Sequence, residues 1–324
     1  MADWVPPKPS PDVPGSEPPP DVEPVLPPWP LRVKAWTFLP SYTTAPGVDT
    51  STNVNNTPEI LQGLPNGAYH PLEIVHPAAL APLPDGGRQF DGGPHLFNQD
   101  VPMIMLLRYL DTAVGPYDEI IFIPGKFRHP VPAGRENLKQ TTETSQRITN
   151  IYVSTPQSVW NGRRNWNIMK HLARFEWEND SKNSRQQTVK IFHPEGVPGL
   201  DSTRPFFSAV LTNSRLPTVA VRTTKPAPML YEVQPPLGGA RYPPDKAKEL
   251  GLEHDEREWP WIEVRYTLDG RAGMAWIKST DKSGIVGDGI SLPAMKFWRL
   301  GARFEGDMTF LHGHVAEMDW KKKE

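Results

Sequence analysis

Lys170 stands in the stretch Asn161-Gly162-Arg163-Arg164-Asn165-Trp166-Asn167-Ile168-Met169-Lys170-His171-Leu172-Ala173. Apolar residues lie on both sides of it: Trp166, Ile168 and Met169 before, Leu172 and Ala173 after. Lysine is seldom fully buried. Among such neighbours, desolvation disfavours the ammonium form and lowers the pKa. The consequence is chemical, because a free amine adds to a ketone carbonyl and an ammonium does not. At the ordinary lysine pKa of about 10.4, fewer than about one side chain in a thousand is neutral at pH 7. A depression of roughly three to four units would make about half of it reactive, a gain on the order of a thousandfold. Lys170 is therefore the candidate Schiff-base lysine. A surface lysine at a strand end is the plain alternative.

Upstream, Tyr117-Asp118-Glu119 is followed by Gly162-Arg163, and Lys170 lies eight residues beyond Gly162. This order and spacing resemble the acetoacetate decarboxylase family, which shows Tyr-x-Glu, then Gly-Arg, then a lysine eight residues after that glycine. The strand ending in Asp111-Thr112 looks similar too. The likeness spans residues 28–312, and its sharp part is residues 103–175. By this resemblance the expected fold is mainly β with a few short helices, an antiparallel sheet closed into a barrel around an apolar pocket. Lys170 matches the family's Schiff-base lysine and Glu119 its pocket carboxylate. Tyr117, Trp166, Met105, Arg163 and His171 are the candidates for substrate contact. In the family, the amine forms an iminium with the keto group of a β-keto acid, and the cationic nitrogen takes up the electrons released as carbon dioxide leaves. The family is itself the standard case of a lysine activated by desolvation or a cationic neighbour.

Three positions depart from the family pattern. A second lysine directly after the first is replaced by His171, whose charge is conditional near neutral pH. The preceding proline is replaced by Met169. The second family carboxylate falls near Met105, where the nearest charges are Arg108 and Asp111. The family's early arginine has only Arg32 as a candidate. These changes point to a larger or more apolar substrate, or to another reaction.

Several residues have simpler readings. Glu119 also suits a hairpin cap or a surface pair with Lys126. Arg163 suits holding a loop. His171 faces away from Lys170 if both lie on a strand, because neighbouring strand residues point to opposite faces. His312 and His314 would share a strand face, but no third ligand accompanies them, so no metal is expected. Ser208 and Ser291 lack a Gly-x-Ser-x-Gly elbow. Gly86-Gly87 and Gly238-Gly239 read as turns rather than phosphate loops.

The elements that must position these side chains read mostly as short strands. Val101–Leu110 is a nearly continuous apolar run, as in a strand buried on both faces. Strands are also expected over residues 32–39, 120–123, 148–153, 188–192, 218–222, 261–267 and 303–311. Pro194-Glu195-Gly196 and Asp269-Gly270 read as turns. Thr155-Pro156 reads as an N-cap with proline at the first helical position, opening a helix over 156–166. Asp245–Leu250 before Gly251 reads as one or two helical turns. Trp259-Pro260-Trp261 reads as an edge strand.

The chain has 324 residues and 37% hydrophobic content, enough for a substantial core. Its net charge of -2 gives no general attraction to nucleic acid or anionic membranes, so neither is an expected partner. It has no cysteine, which excludes disulfides and a thiolate nucleophile. Residues 1–27 form a proline-rich arm, expected to be extended, and 28–324 a single β domain. No apolar run approaches the roughly 18 residues of a membrane helix, and no export signal is read, so the expected location is cytoplasmic. Taken together, the sequence reads as a lyase or decarboxylase acting through Lys170 on a β-keto acid or a bulky, polyketide-like ketone of secondary metabolism. It needs no cofactor and is expected to form a homo-oligomer. The alternative is a non-covalent ligand-binding protein or cyclase on the same fold.

Overall fold

The computed structural model describes residues 17–42, 64–80, 83, 87, 89–90, 102–130, 142–223, 231–237 and 260–316. Residues 1–16 of the arm, the expected helix at 245–250, Gly238-Gly239 and Trp259 lie outside these. The strands are β1 (Trp29–Phe38), β2 (Pro40–Tyr42), β3 (Met103–Asp111), β4 (Tyr117–Ile123), β5 (Lys126–Pro130) and β6 (Thr142–Gln146). They continue with β7 (Asn150–Val153), β8 (Lys170–Leu172), β9 (Arg174–Asn179), β10 (Gln186–Phe192), β11 (Phe207–Asn213) and β12 (Val219–Arg222). The last are β13 (Tyr231–Gln234), β14 (Trp261–Ser279), β15 (Met295–Phe297), β16 (Leu300–Phe310) and β17 (His314–Ala316). One α-helix, α1 (Pro156–Trp166), separates β7 from β8.

The main sheet runs β5-β6-β13-β14-β16-β1-β3-β4-β7-β8, with β11 joining β14 and carrying β10 and then β9. Among the described residues this order has two ends and does not close, so the expected barrel is an open, branched sheet instead. Pairing is antiparallel except at β7–β8 and β6–β13. No helix of the described residues is long and apolar enough to cross a membrane.

Strand period two decides which side chains meet. Along β1, Leu31, Val33 and Ala35 enter one core with Leu107, Ile121, Ile151 and Val153. Trp36 and Phe38 enter the other, with Ile104, Leu106, Phe122 and Tyr152. Both faces of β1, β3, β4 and β7 are therefore dry over much of their length, which is why β3 and β7 are apolar almost without interruption. Each such side chain contributes roughly 1.5–3 kcal/mol of burial.

Asp269-Gly270, expected as a turn, lies inside the 19-residue β14 instead. Gly270 sits opposite Gly306 of β16, and a Cβ on it would come within 2.5 Å of the Glu305 carbonyl oxygen. The glycine serves close backbone approach, not chain reversal.

Helix α1 begins as its sequence dictates. Thr155 is in an extended conformation, and its side chain accepts from the Ser158 N–H. It ends at Asn167, whose φ of 53° and ψ of 25° form a left-handed cap. Two of its buried asparagines bond the chain ahead of β1. Asn161 accepts from the Val25 N–H at 2.7 Å and donates to the Glu23 carbonyl at 2.9 Å, and Asn165 donates to the Val25 carbonyl at 2.8 Å. Residues 21–25 are thus laced to the helix as an extended strap.

Candidate active site

Lys170 leaves β8 on the side of Ile151, its partner in the parallel β7–β8 pair, and enters the core that contains Trp29, Tyr117 and Trp166. Glu119 of β4 reaches the same space, because it lies on the same face as Ile121. The Lys170 Nζ donates to Glu119 Oε2 at 2.7 Å and to Ser158 Oγ of α1 at 3.0 Å. It also lies 5.1 Å from the centre of the Tyr117 ring. The other carboxylate oxygen, Oε1, accepts from the Tyr109 hydroxyl at 3.0 Å. Lysine and glutamate are 4% and 1% exposed, so neither is a surface residue.

The spacing between Gly162 and Lys170 has a steric reason. The lysine stem crosses α1 at Gly162, where a Cβ would come within 2.7 Å of both Cδ and Cε. Arg163, the next residue, turns the other way and donates to the Lys170 carbonyl oxygen at 3.1 Å, fixing β8 against the helix.

The pair lines a cavity with a free volume of about 30 Å³, room for water-sized groups. Met105, Tyr117, Glu119, Trp166 and Lys170 all line it. Arg163 and His171 do not. They lie behind β8, around Glu73: Arg163 makes two bonds of 3.0 Å to its oxygens, and His171 Nε2 contacts Oε2 at 2.6 Å. His70 stacks on His171 with centroids 3.6 Å apart and planes 5° from parallel. Burial alone would raise the Glu73 carboxyl, but Arg163 and His171 outweigh it and hold the group down at about 2.

Burial also fails to lower Lys170. Desolvation is the largest single influence and acts downward, as the apolar neighbours imply, but Glu119 and Tyr117 together outweigh it and raise the ammonium above its ordinary value. The resting amine is therefore protonated. Burial pushes the Tyr117 hydroxyl up to about 12.

One lining residue has no counterpart in the sequence argument. Glu232 of β13 faces the cavity, and burial, then the charge of Glu119, pushes its carboxyl up to about 8. It places a second carboxyl group in the cavity beside Glu119, from a different strand. The signal available was an acid between Tyr231 and Val233 in a short strand, with nothing to tie it to Lys170. Among the described residues, no group of three or more histidine, aspartate or glutamate side chains is arranged to hold a metal ion.

No protein-family model matches the sequence, and no curated protein matches it. Solved structures do. Acetoacetate decarboxylase from Legionella pneumophila shares 12% identity over 90% of this chain and 87% of that one, with a TM-score of 0.42. A second acetoacetate decarboxylase structure shares 11% identity over 92% of both chains, with a TM-score of 0.44. The enduracididine biosynthesis enzyme MppR, complexed with the condensation product of pyruvate and imidazole 4-carboxaldehyde, shares 13% over 91% of both, at 0.42. The chain is similar to acetoacetate decarboxylase. At such identity the similarity does not reach individual residues, and the chemistry of the site rests on its own geometry.

Proposed function

We propose that the protein is a lyase that forms a Schiff base between Lys170 and a ketone or β-keto acid, cleaving a bond next to the former carbonyl. The observation that carries this reading is a buried lysine and glutamate 2.7 Å apart in a largely apolar cavity. The ammonium already donates to Glu119, so the carboxylate is placed to receive its proton as a carbonyl substrate enters. Glu119 takes the proton of Lys170, and the free amine adds to the carbonyl carbon. Loss of water, its oxygen protonated by a cavity acid, gives the iminium. The bond from the α-carbon to the carboxylate, or to a carbinol carbon whose hydroxyl proton passes to a cavity carboxylate, then breaks, and its electron pair moves through the α-carbon to the iminium nitrogen. Glu232, protonated at neutral pH, returns a proton to the enamine carbon, and water releases Lys170.

The cavity as it stands does not hold a bulky ketone. A substrate of that size would have to displace side chains, and Met105 and Met308 are the unbranched walls best able to move. A small keto acid or ketone fits this reading with less rearrangement. The protonated state of Lys170 favours a second reading, in which the ammonium binds a ligand without bonding to it.

The test is reductive trapping. Incubation with small β-keto acids and ketones plus borohydride should leave an adduct on Lys170, found by peptide mass spectrometry and lost in Lys170→Ala. Ligand binding by thermal shift with no adduct from any probe would move the assignment to non-covalent binding.

A further inference from the structure

A second cleft lies at the edge of the other core layer, between the β3-β1-β16 face and the β9–β10–β11 unit. It has a free volume of about 260 Å³, several times that of the Lys170 cavity. Lys34 of β1, Arg108 of β3, Arg303 of β16 and Arg185 of the β9–β10 turn all line it. Lys34 is directly opposite Arg108 in the β1–β3 register, and Trp36, two residues on and on the same face, is directly opposite Arg303. Like charges placed across a strand pair are destabilising unless something compensates them.

Carboxylates compensate only part of this charge. Glu305 lies 3.6 Å from Lys34, and Asp118 lies 3.0 Å from Arg108. Arg185 donates to a neutral acceptor, the Asn213 carbonyl, at 2.9 Å. Arg303 lies over Gly273, where a Cβ would come within 3.2 Å of its Nε, and that buried nitrogen has no hydrogen-bond partner among the described residues. Two guanidinium groups thus face one polar cleft with no carboxylate on either among the described residues.

The floor and walls add recognition groups. Trp36 packs on Trp177 with centroids 5.9 Å apart, and Arg108 lies 4.7 Å over the Trp177 ring, which holds the floor rigid. The amides of Asn179, Gln186 and Gln187 line the rim. Guanidinium forks match the paired oxygens of phosphate and carboxylate, and amides match hydroxyl groups.

We propose that this cleft is a second ligand site, separate from Lys170, that takes a small hydroxylated molecule carrying a phosphate or carboxylate group through Arg185 and Arg303. The two anionic groups share one recognition chemistry, and the experiment distinguishes them.

Calorimetric titration of the full chain with inorganic phosphate, glucose 6-phosphate, citrate and uncharged glucose tests the site. Saturable binding of glucose 6-phosphate or citrate is expected, with none of glucose, and added salt should weaken it. The anion that binds tighter identifies the source. Arg185→Gln and Arg303→Gln should each weaken binding at least about tenfold while leaving borohydride trapping on Lys170 unchanged. Arg185 stands in a turn, so its variant carries the test if Arg303→Gln fails to fold. Absence of saturable binding for every anion overturns the proposal, as does binding that the Arg185 variant leaves unchanged or that glucose shares.

Discussion

Between Lys170 and Glu119 one proton decides whether the amine is a nucleophile, and the neighbouring Glu232 sets the pH range over which a second proton is available. With a carboxyl pKa near 8, Glu232 is an acid below that pH and a carboxylate above it. The linkage follows from the same displacement. The folded state keeps a proton that the unfolded chain, at the ordinary value of 4.5, has released, so stability falls as pH rises from about 4.5 to about 8. Glu232→Gln removes that dependence. The variant should be more stable than the parent at pH 8, by an amount on the order of a few kcal/mol, and equal to it at pH 4, as read by urea unfolding. If Glu232 protonates the enamine, the same variant should turn over about 100-fold more slowly and lose the alkaline fall in rate. A variant with unchanged rate and unchanged pH profile would remove Glu232 from the mechanism. That Lys170, Glu119 and Tyr117 meet was legible only through the resemblance to a family pattern of Tyr-x-Glu, Gly-Arg and lysine. Glu232 was not, because only the pairing of β13 with β14 brings it there. The direction of the Lys170 shift is not legible for a related reason: local apolar neighbours are visible in sequence, and a carboxylate from another strand at 2.7 Å is not.

Among the elements, α1 and β8 act as one unit around Gly162. The lysine is held at its backbone by Arg163 and at its tip by Glu119 and Ser158, so its middle carbons cannot swing away from a new methyl group. Gly162→Ala should therefore displace Nζ, slowing borohydride trapping at least about tenfold, at a stability cost of about 1–3 kcal/mol. Circular dichroism and thermal melting would show whether the fold survives. Trapping at the parental rate would mean that the stem relaxes freely. The boundaries of this helix were readable, since Thr155, Pro156 and Asn167 supply local signals for its start and stop. Asp269-Gly270 carried an equally local signal that tertiary structure overrode. Its glycine meets Gly306 on the adjacent strand, a requirement no local pattern records.

Across the molecule, Glu73 joins segment 64–80 to both α1 and β8 through Arg163 and His171. Its carboxyl is held at about 2 against an ordinary 4.5, so its contribution is present above about pH 4.5 and is lost as pH falls toward 2. Glu73→Gln leaves Arg163 buried without its counter-charge, and should cost about 3–5 kcal/mol at pH 7 and much less at pH 2. Urea unfolding at the two pH values checks this, and an equal loss at both would show that charge is not the cause.

The strap and β1 also impose an order on biosynthesis. Val25 is translated early, but the Asn161 amide that receives it lies 136 residues further along, and the β16 edge that completes β1 ends only at Phe310. At about 5–20 residues per second, the stripe of Trp29, Leu31 and Val33 waits roughly 15–55 seconds on the ribosome for its last neighbour. For that interval the stripe is an exposed apolar ribbon, a ligand for chaperones before it becomes core.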